Sequence, residues 1–103
     1  MSRIAVVTGG GSGLGRSISL KLAADGHRVA VVDVNAENAE KVAAEIHAAG
    51  GTAIALGVDV SDEDAVEAGF TTVRDQFGPV EILVTSAATV SYTHLTLPTI
   101  LRV

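Results

Sequence analysis

The chain encodes an α/β architecture built on a parallel sheet, and three features of the sequence point there. Short β-branched apolar runs alternate with longer Ala-rich amphipathic stretches, and a Gly or a capping residue separates each from the next. The runs Ile4–Val7 and Val29–Val32 are apolar throughout rather than every second residue, which suits strands covered on both faces. At 103 residues the chain is one domain at most.

The first strand is predicted at Arg3–Thr8, followed by a glycine loop and a helix from Gly13 to Asp25. Leu14, Ile18 and Leu22 recur at i, i+4 and i+8 on that helix, and Gly26 stops it. A second strand, Arg28–Asp33, leads to Asn35 as N-cap of a helix that ends at Gly50-Gly51. Ala39, Val42, Ala43 and Ile46 form its inward stripe, while Glu37 and Lys41 stand four apart on the wet side. The third strand is predicted at Thr52–Val58; Ser61 can then cap a helix whose first turn carries Asp62, Glu63 and Asp64, charges that suit the positive end of a helix dipole. Val66, Phe70, Val73 and Phe77 make its apolar face, Gly78-Pro79 ends it, and Val80–Val84 is the fourth strand. After Ala88 the alternation stops: the stretch 89–103 has no helix period and no acidic residue. It reads as a truncation, a frameshift or read-through, and it is expected to carry no chemistry. The fourth strand is thereby left at a sheet edge; the Thr, Ile, Leu and Val of the tail suit a strand folded back beside it, but Pro98 would interrupt that ladder.

Composition excludes several classes of function. Seven basic residues against twelve acidic give a net charge of −5, and the bases are scattered, so no stripe exists to neutralise the phosphates of a nucleic acid. No apolar run approaches the roughly 20 residues that cross a bilayer. The opening Met1-Ser2-Arg3 before four apolar residues is too brief for a secretory segment, so a cytoplasmic location is expected. The chain contains no cysteine, which removes disulfides, thiol catalysis and sulfur-ligated zinc. His27, His47 and His94 lack metal-ligand spacing, and Asp62-Glu63-Asp64 is explained by its helix end, so no metal site is expected.

The informative stretch is Thr8-Gly9-Gly10-Gly11-Ser12-Gly13-Leu14-Gly15, which follows a buried strand and opens a helix. A diphosphate needs several N–H donors close together, and the first turn of a helix supplies them unpaired, with a favourable dipole. A Cβ in the loop would hold the phosphate off, which is why glycine is wanted there. Taken alone, such a string also fits a plain strand-to-helix turn. Asp33 adds an independent requirement: it stands 18 residues beyond Gly15 at the end of the second strand, where a dinucleotide-binding fold places the acid that takes the adenosine ribose. Its charge repels a 2′-phosphate, and neither Ser12 nor Val34 is basic, so NAD is expected in preference to NADP. The predicted fold is a Rossmann-type doubly wound parallel sheet, truncated at about four strands in the order 3-2-1-4.

With these residues in view the chain resembles the short-chain dehydrogenase/reductase family, whose loop reads T-G-x-x-x-G-x-G; here it is Thr8, Gly9, Gly13 and Gly15. The resemblance covers about residues 3 to 88. It implies an adenine contact at Asp59-Val60 and a cofactor-lining N-N-A-G motif whose positions are Thr85, Ser86, Ala87 and Ala88, so that only the first alanine is kept. The cofactor-binding set is then Gly9, Gly11, Ser12, Gly13, Leu14, Gly15, Asp33, Asp59, Val60, Ser86 and Ala87, within a binding unit at 1–88. The resemblance also implies a hydride transfer between nicotinamide and a small alcohol or carbonyl substrate. Its proton relay is a Tyr-x-x-x-Lys pair. The single tyrosine is Tyr92, with Thr96 four residues on, so no catalytic residue is assigned and the chain as given is expected to be inactive. Homo-oligomers are expected only of a longer protein. Two other classes fit parts of the pattern: a non-catalytic dinucleotide-binding module, and a methyltransferase of related topology, against which the Thr-Gly opening argues.

Overall fold

The computed structural model describes residues 3–9, 11, 13–59, 61–85 and 99–102. The strands are β1 (Ile4–Thr8), β2 (Arg28–Asp33), β3 (Thr52–Gly57), β4 (Ile82–Thr85) and β5 (Thr99–Arg102), and the helices are α1 (Gly13–Ala24), α2 (Ala36–Ala48) and α3 (Glu63–Gln76). All five strands run parallel in one sheet, ordered β3-β2-β1-β4-β5. The predicted order 3-2-1-4 is there, inside a wider sheet.

Alternate side chains of the central strands serve opposite faces. Ala5 and Val7 of β1 with Val29 and Val31 of β2 pack with Ala39, Val42, Ala43 and Ile46 of α2, and Ile18 and Leu22 of α1 lean on the same cluster. Ile4 and Val6 with Ala30 and Val32 pack with Val66, Phe70 and Val73 of α3 on the other face. The sheet is therefore covered on both sides, which is why its strand sequences are apolar without alternation.

Asn35 caps α2 as predicted, its side chain accepting from the Asn38 N–H at 3.2 Å. At α3 the cap is Asp62 and not Ser61: Asp62 Oδ1 accepts from the N–H groups of Asp64 and Ala65, while Ser61 turns back to Asp59. A carboxylate at the position with two free amides in reach is the stronger acceptor. The stripe expected on α1 holds at Ile18 and Leu22 and fails at Leu14. Leu14 is 54% exposed, and the residues of α1 that are fully buried are Gly15 and Ser19. Close approach of helix to strand selects small residues there, and Ser19 disposes of its buried hydroxyl by donating to the Gly15 carbonyl at 2.8 Å.

The fourth strand begins at Ile82 rather than Val80, because Gly78, at φ +115°, and Pro79 keep the chain turning until it reaches register with Ala5. The expectation that this strand is an edge is overturned: β5 pairs with it, matching Ile82 to Thr99 and Thr85 to Arg102. Thr-Ile-Leu-Arg is a good strand former, and Pro98 precedes the paired residues instead of falling among them.

Helices α1 and α2 are tied on their outer sides by Arg16, whose Nε donates to Glu45 Oε1 at 3.0 Å while its second nitrogen pairs with Oε2. That hydrogen bond, with the attraction of the two charges, holds the Glu45 carboxyl below its usual range against the opposing effect of desolvation. A depressed folded pKa means that the stabilisation is present above the unfolded value and is lost as pH falls through the folded one. Both side chains are exposed, so the effect is small and screened by salt. Arg16→Ala is expected to lower the melting temperature slightly at neutral pH, less so in concentrated salt, and not at all in strong acid. A difference from the wild type that persists in acid would mean that Arg16 acts by packing.

Candidate functional site

Parallel pairing brings every strand's carboxyl end to one rim of the sheet. Thr8 of β1 lies beside Val32 of β2 and Thr85 of β4, and Asp33 lies beside Gly57 of β3. The glycine loop leaves this rim. Gly9 turns the chain at φ +67° directly after β1, and Gly13 opens α1 at φ +54°, left-handed conformations that L side chains rarely adopt. No residue of the first turn of α1 is acidic, whereas the first turns of α2 and α3 carry Glu37 and Glu63-Asp64. The amides that open a helix lack partners within it, and no acidic side chain of its own first turn competes for those of α1.

Asp33 ends β2 with its side chain buried, 9% exposed, and turned toward the loop. Its Oδ2 accepts the Gly11 N–H at 3.0 Å, and its Oδ1 accepts the Asn35 N–H at 3.0 Å. A carboxylate offers about four lone-pair sites, so two further hydrogen bonds can still be accepted. At Gly11 a Cβ would stand 2.8 Å from Asp33 Oδ2 and 2.8 Å from the Asn38 Cβ. Glycine is thus required at this position by close approach, without any appeal to a ligand.

Asp59 follows β3 at the same rim and is exposed. The Ser61 hydroxyl donates to its Oδ1 at 2.6 Å, and the Ser61 N–H does so at 3.0 Å; these two bonds, the hydroxyl first, pull the Asp59 carboxyl below its usual value. The structure thus gathers Gly9, Gly11, Gly13, Leu14, Gly15, Asp33 and Asp59 at one end of the sheet. Ser12, Val60, Ser86 and Ala87, and likewise Ala88, Tyr92 and His94, lie outside the described residues.

Two residues outside the predicted cofactor-binding set lie beside the site. Val34, weighed from the sequence only for its lack of charge, follows Asp33 and is 74% exposed, an unusual position for a large aliphatic side chain. An apolar residue directly after a strand-ending acid was the available signal. Asn38 presses its Cβ against the Gly11 position, and nothing local in the sequence announces that contact. Away from the rim, the His27 Nδ1 accepts the Arg3 N–H at 3.1 Å and the His47 Nε2 lies 2.8 Å from the Ala53 carbonyl oxygen, so both rings serve the backbone. Among the described residues no group of three His, Asp or Glu side chains could hold a metal ion, and no helix is long and apolar enough to cross a membrane.

A glycine loop turned through positive φ at Gly9 and Gly13 and closed to a Cβ at Gly11, a helix start without acids and a buried carboxylate with spare acceptor capacity fit a ribose joined to a diphosphate. These features, at the carboxyl end of a doubly wound parallel sheet, place the chain among Rossmann-type proteins. The short chain dehydrogenase family model matches residues 3–100, and the chain belongs to that family. It is 41% identical over 85 residues to D-threitol dehydrogenase of Mycolicibacterium smegmatis, an alignment covering 82% of this chain and 33% of that protein. It is 45% identical over 89 residues to sorbitol-6-phosphate 2-dehydrogenase of Escherichia coli, covering 84% and 34%. Among solved structures, a 7α-hydroxysteroid dehydrogenase complexed with NADH and 7-oxo glycochenodeoxycholic acid superposes with a TM-score of 0.82 at 36% identity, over 84% of this chain and 34% of that one. The chain spans about a third of the length of the curated relatives it matches.

Proposed function

We propose that the chain is the cofactor-binding part of an NAD-dependent oxidoreductase that moves a hydride between nicotinamide and an alcohol or carbonyl carbon. The observation that carries this reading is the Asp33 carboxylate, buried at the end of β2 and facing the glycine loop. Its two spare acceptor sites suit the two hydroxyls of the adenosine ribose. The same charge opposes a 2′-phosphate, residues 9–15 and 34–35 include no base, and the nearby Arg16 is engaged by Glu45. Those facts favour NAD over NADP.

Gly9 and Gly13 shape the loop, Gly15 lets α1 settle on the sheet, and the first amides of α1 face the diphosphate. Leu14 and Val34 offer apolar surface to the flat bases. Asp59 and Val60 contribute at the adenine end, and Ser12, Ser86 and Ala87 complete the lining. Bound nicotinamide would supply the hydride acceptor or donor. A proton relay of the Tyr-x-x-x-Lys kind is missing from the sequence, since Tyr92 is followed by Thr96 at that spacing, so this chain binds the cofactor without turning substrate over. Every site residue falls within 1–88, which we take as the binding unit, with 89–103 outside it and β5 a structural addition. A cytoplasmic location and assembly into oligomers through elements beyond these residues belong to the same reading.

Calorimetric titration of the protein with NAD, NADP and S-adenosylmethionine tests it. NAD should bind at least tenfold more tightly than NADP, and S-adenosylmethionine should not bind. Equal affinity for the two dinucleotides, or none for either, would overturn the proposal.

A further inference from the structure

We infer that Asp33 is a positioning residue for the glycine loop as well as a ribose acceptor: its carboxylate clasps the Gly11 amide and so sets the cradle before any ligand arrives. The inference rests on the functional reading above and adds a separate task for the same side chain.

Three observations support it. The Gly11 N–H points at Asp33 Oδ2, 3.0 Å away and 22 residues distant in sequence, so the contact joins two segments that local geometry would not bring together. The other oxygen is fixed by the Asn35 N–H at the start of α2, which holds the carboxylate from behind. The loop is pressed from the α2 side too, because a Cβ on Gly11 would come within 2.8 Å of the Asn38 Cβ and 2.9 Å of the Asn38 carbonyl carbon. A carboxylate this well buried needs donors, and among the described residues those it has are backbone amides, one of them in the loop itself. The clasp therefore satisfies the acid and orders the loop at once. It also commits the Gly11 amide to the protein, leaving the diphosphate to the amides that follow it into α1. A loop ordered in advance does not have to be ordered by the ligand, which raises affinity for anything that uses the loop.

The sign of one measurement separates the clasp from the ribose contact. Inorganic pyrophosphate has no ribose, and a nearby negative charge repels it. If Asp33 serves the ribose alone, Asp33→Ala, which leaves no acceptor for the Gly11 amide, leaves pyrophosphate binding unchanged or improves it. If Asp33 sets the cradle, Asp33→Ala weakens pyrophosphate binding, by about three- to tenfold, although a repelling charge has gone. Amide exchange followed by NMR on the ligand-free protein provides the second readout. An amide freed from a hydrogen bond to a carboxylate exchanges roughly tenfold or more faster, so the Gly11 amide should accelerate while Val29–Val32 in the sheet keep their protection. Gly11→Ala leaves the carboxylate in place but wedges the clasp apart, and it should accelerate exchange of the residue 11 amide in the same way should Asp33→Ala fail to fold. Pyrophosphate bound by Asp33→Ala as tightly as by the wild type, with unchanged exchange at Gly11, overturns the clasp and leaves the cofactor reading standing. A wild-type protein that binds neither pyrophosphate nor NAD overturns both.

Discussion

Asp33→Asn should shift the preference between the two dinucleotides by roughly 10- to 100-fold toward NADP. The clasp on the loop is common to both cofactors, so whatever the substitution does to it acts on both affinities alike and cancels from their ratio. What remains in the ratio is the ribose end. An asparagine keeps one acceptor oxygen but loses the charge and one of the two acceptors, and a hydrogen bond to a charged group is worth about 1.5–3 kcal/mol. At about 1.4 kcal/mol per tenfold, that is one to two powers of ten for NAD. For NADP the same change removes a repulsive charge from beside the 2′-phosphate and offsets part of the damage. Parallel titrations of wild type and variant with each dinucleotide read the ratio directly. An equal loss for both would remove the acid from the ribose and leave it the loop alone.

Much of this site is legible in the sequence because the rim of a parallel sheet collects residues by rule. Once strands are placed at residues 4 to 8 and 28 to 33, the glycine string and Asp33 must share the same end. The stripe Ala39, Val42, Ala43 and Ile46 is likewise a matter of period, and all four are buried. The misreadings have particular physical causes. Leu14 satisfies the helix period, but it falls at the first turn of α1, where the small residue Gly15 is the one buried and a leucine is left outside. Ser61 and Asp62 are both good caps one residue apart, and which of them serves depends on Asp59, which captures the serine. The pairing of β5 with β4 is long-range and parallel, so no turn chemistry announces it. The Gly11–Asp33 hydrogen bond is similarly invisible, since the glycine's amide carries no sequence signal of its own.

The largest loss of stability is expected from Phe70→Ala. Among the described helices, α3 alone covers the sheet face formed by Ile4, Val6, Ala30 and Val32, and it does so through Val66, Phe70 and Val73, each 6% exposed or less. Phe70 is the largest of the three. It lines a void of about 10 Å³, with Val6, Val32, Val58 and Val66 among its neighbours, which is room for at most one water in apolar surroundings. Truncation enlarges a space already left unfilled, so the lost transfer energy and the cavity cost act together. Buried Phe→Ala changes cost about 3–5 kcal/mol, a large part of the roughly 5–15 kcal/mol that holds a small domain together. For about 100 residues that is a fall in melting temperature of roughly 10–25 °C. Phe77 caps the same helix but is only half-buried, so Phe77→Ala should cost clearly less. The pair of variants tests the packing assignment: comparable losses at 70 and 77 would mean that α3 is held by its ends and not by its central face. Amide exchange adds the spatial answer, for in Phe70→Ala the amides of α3 should open before those of β1 and β2, whose other face remains covered by α1 and α2.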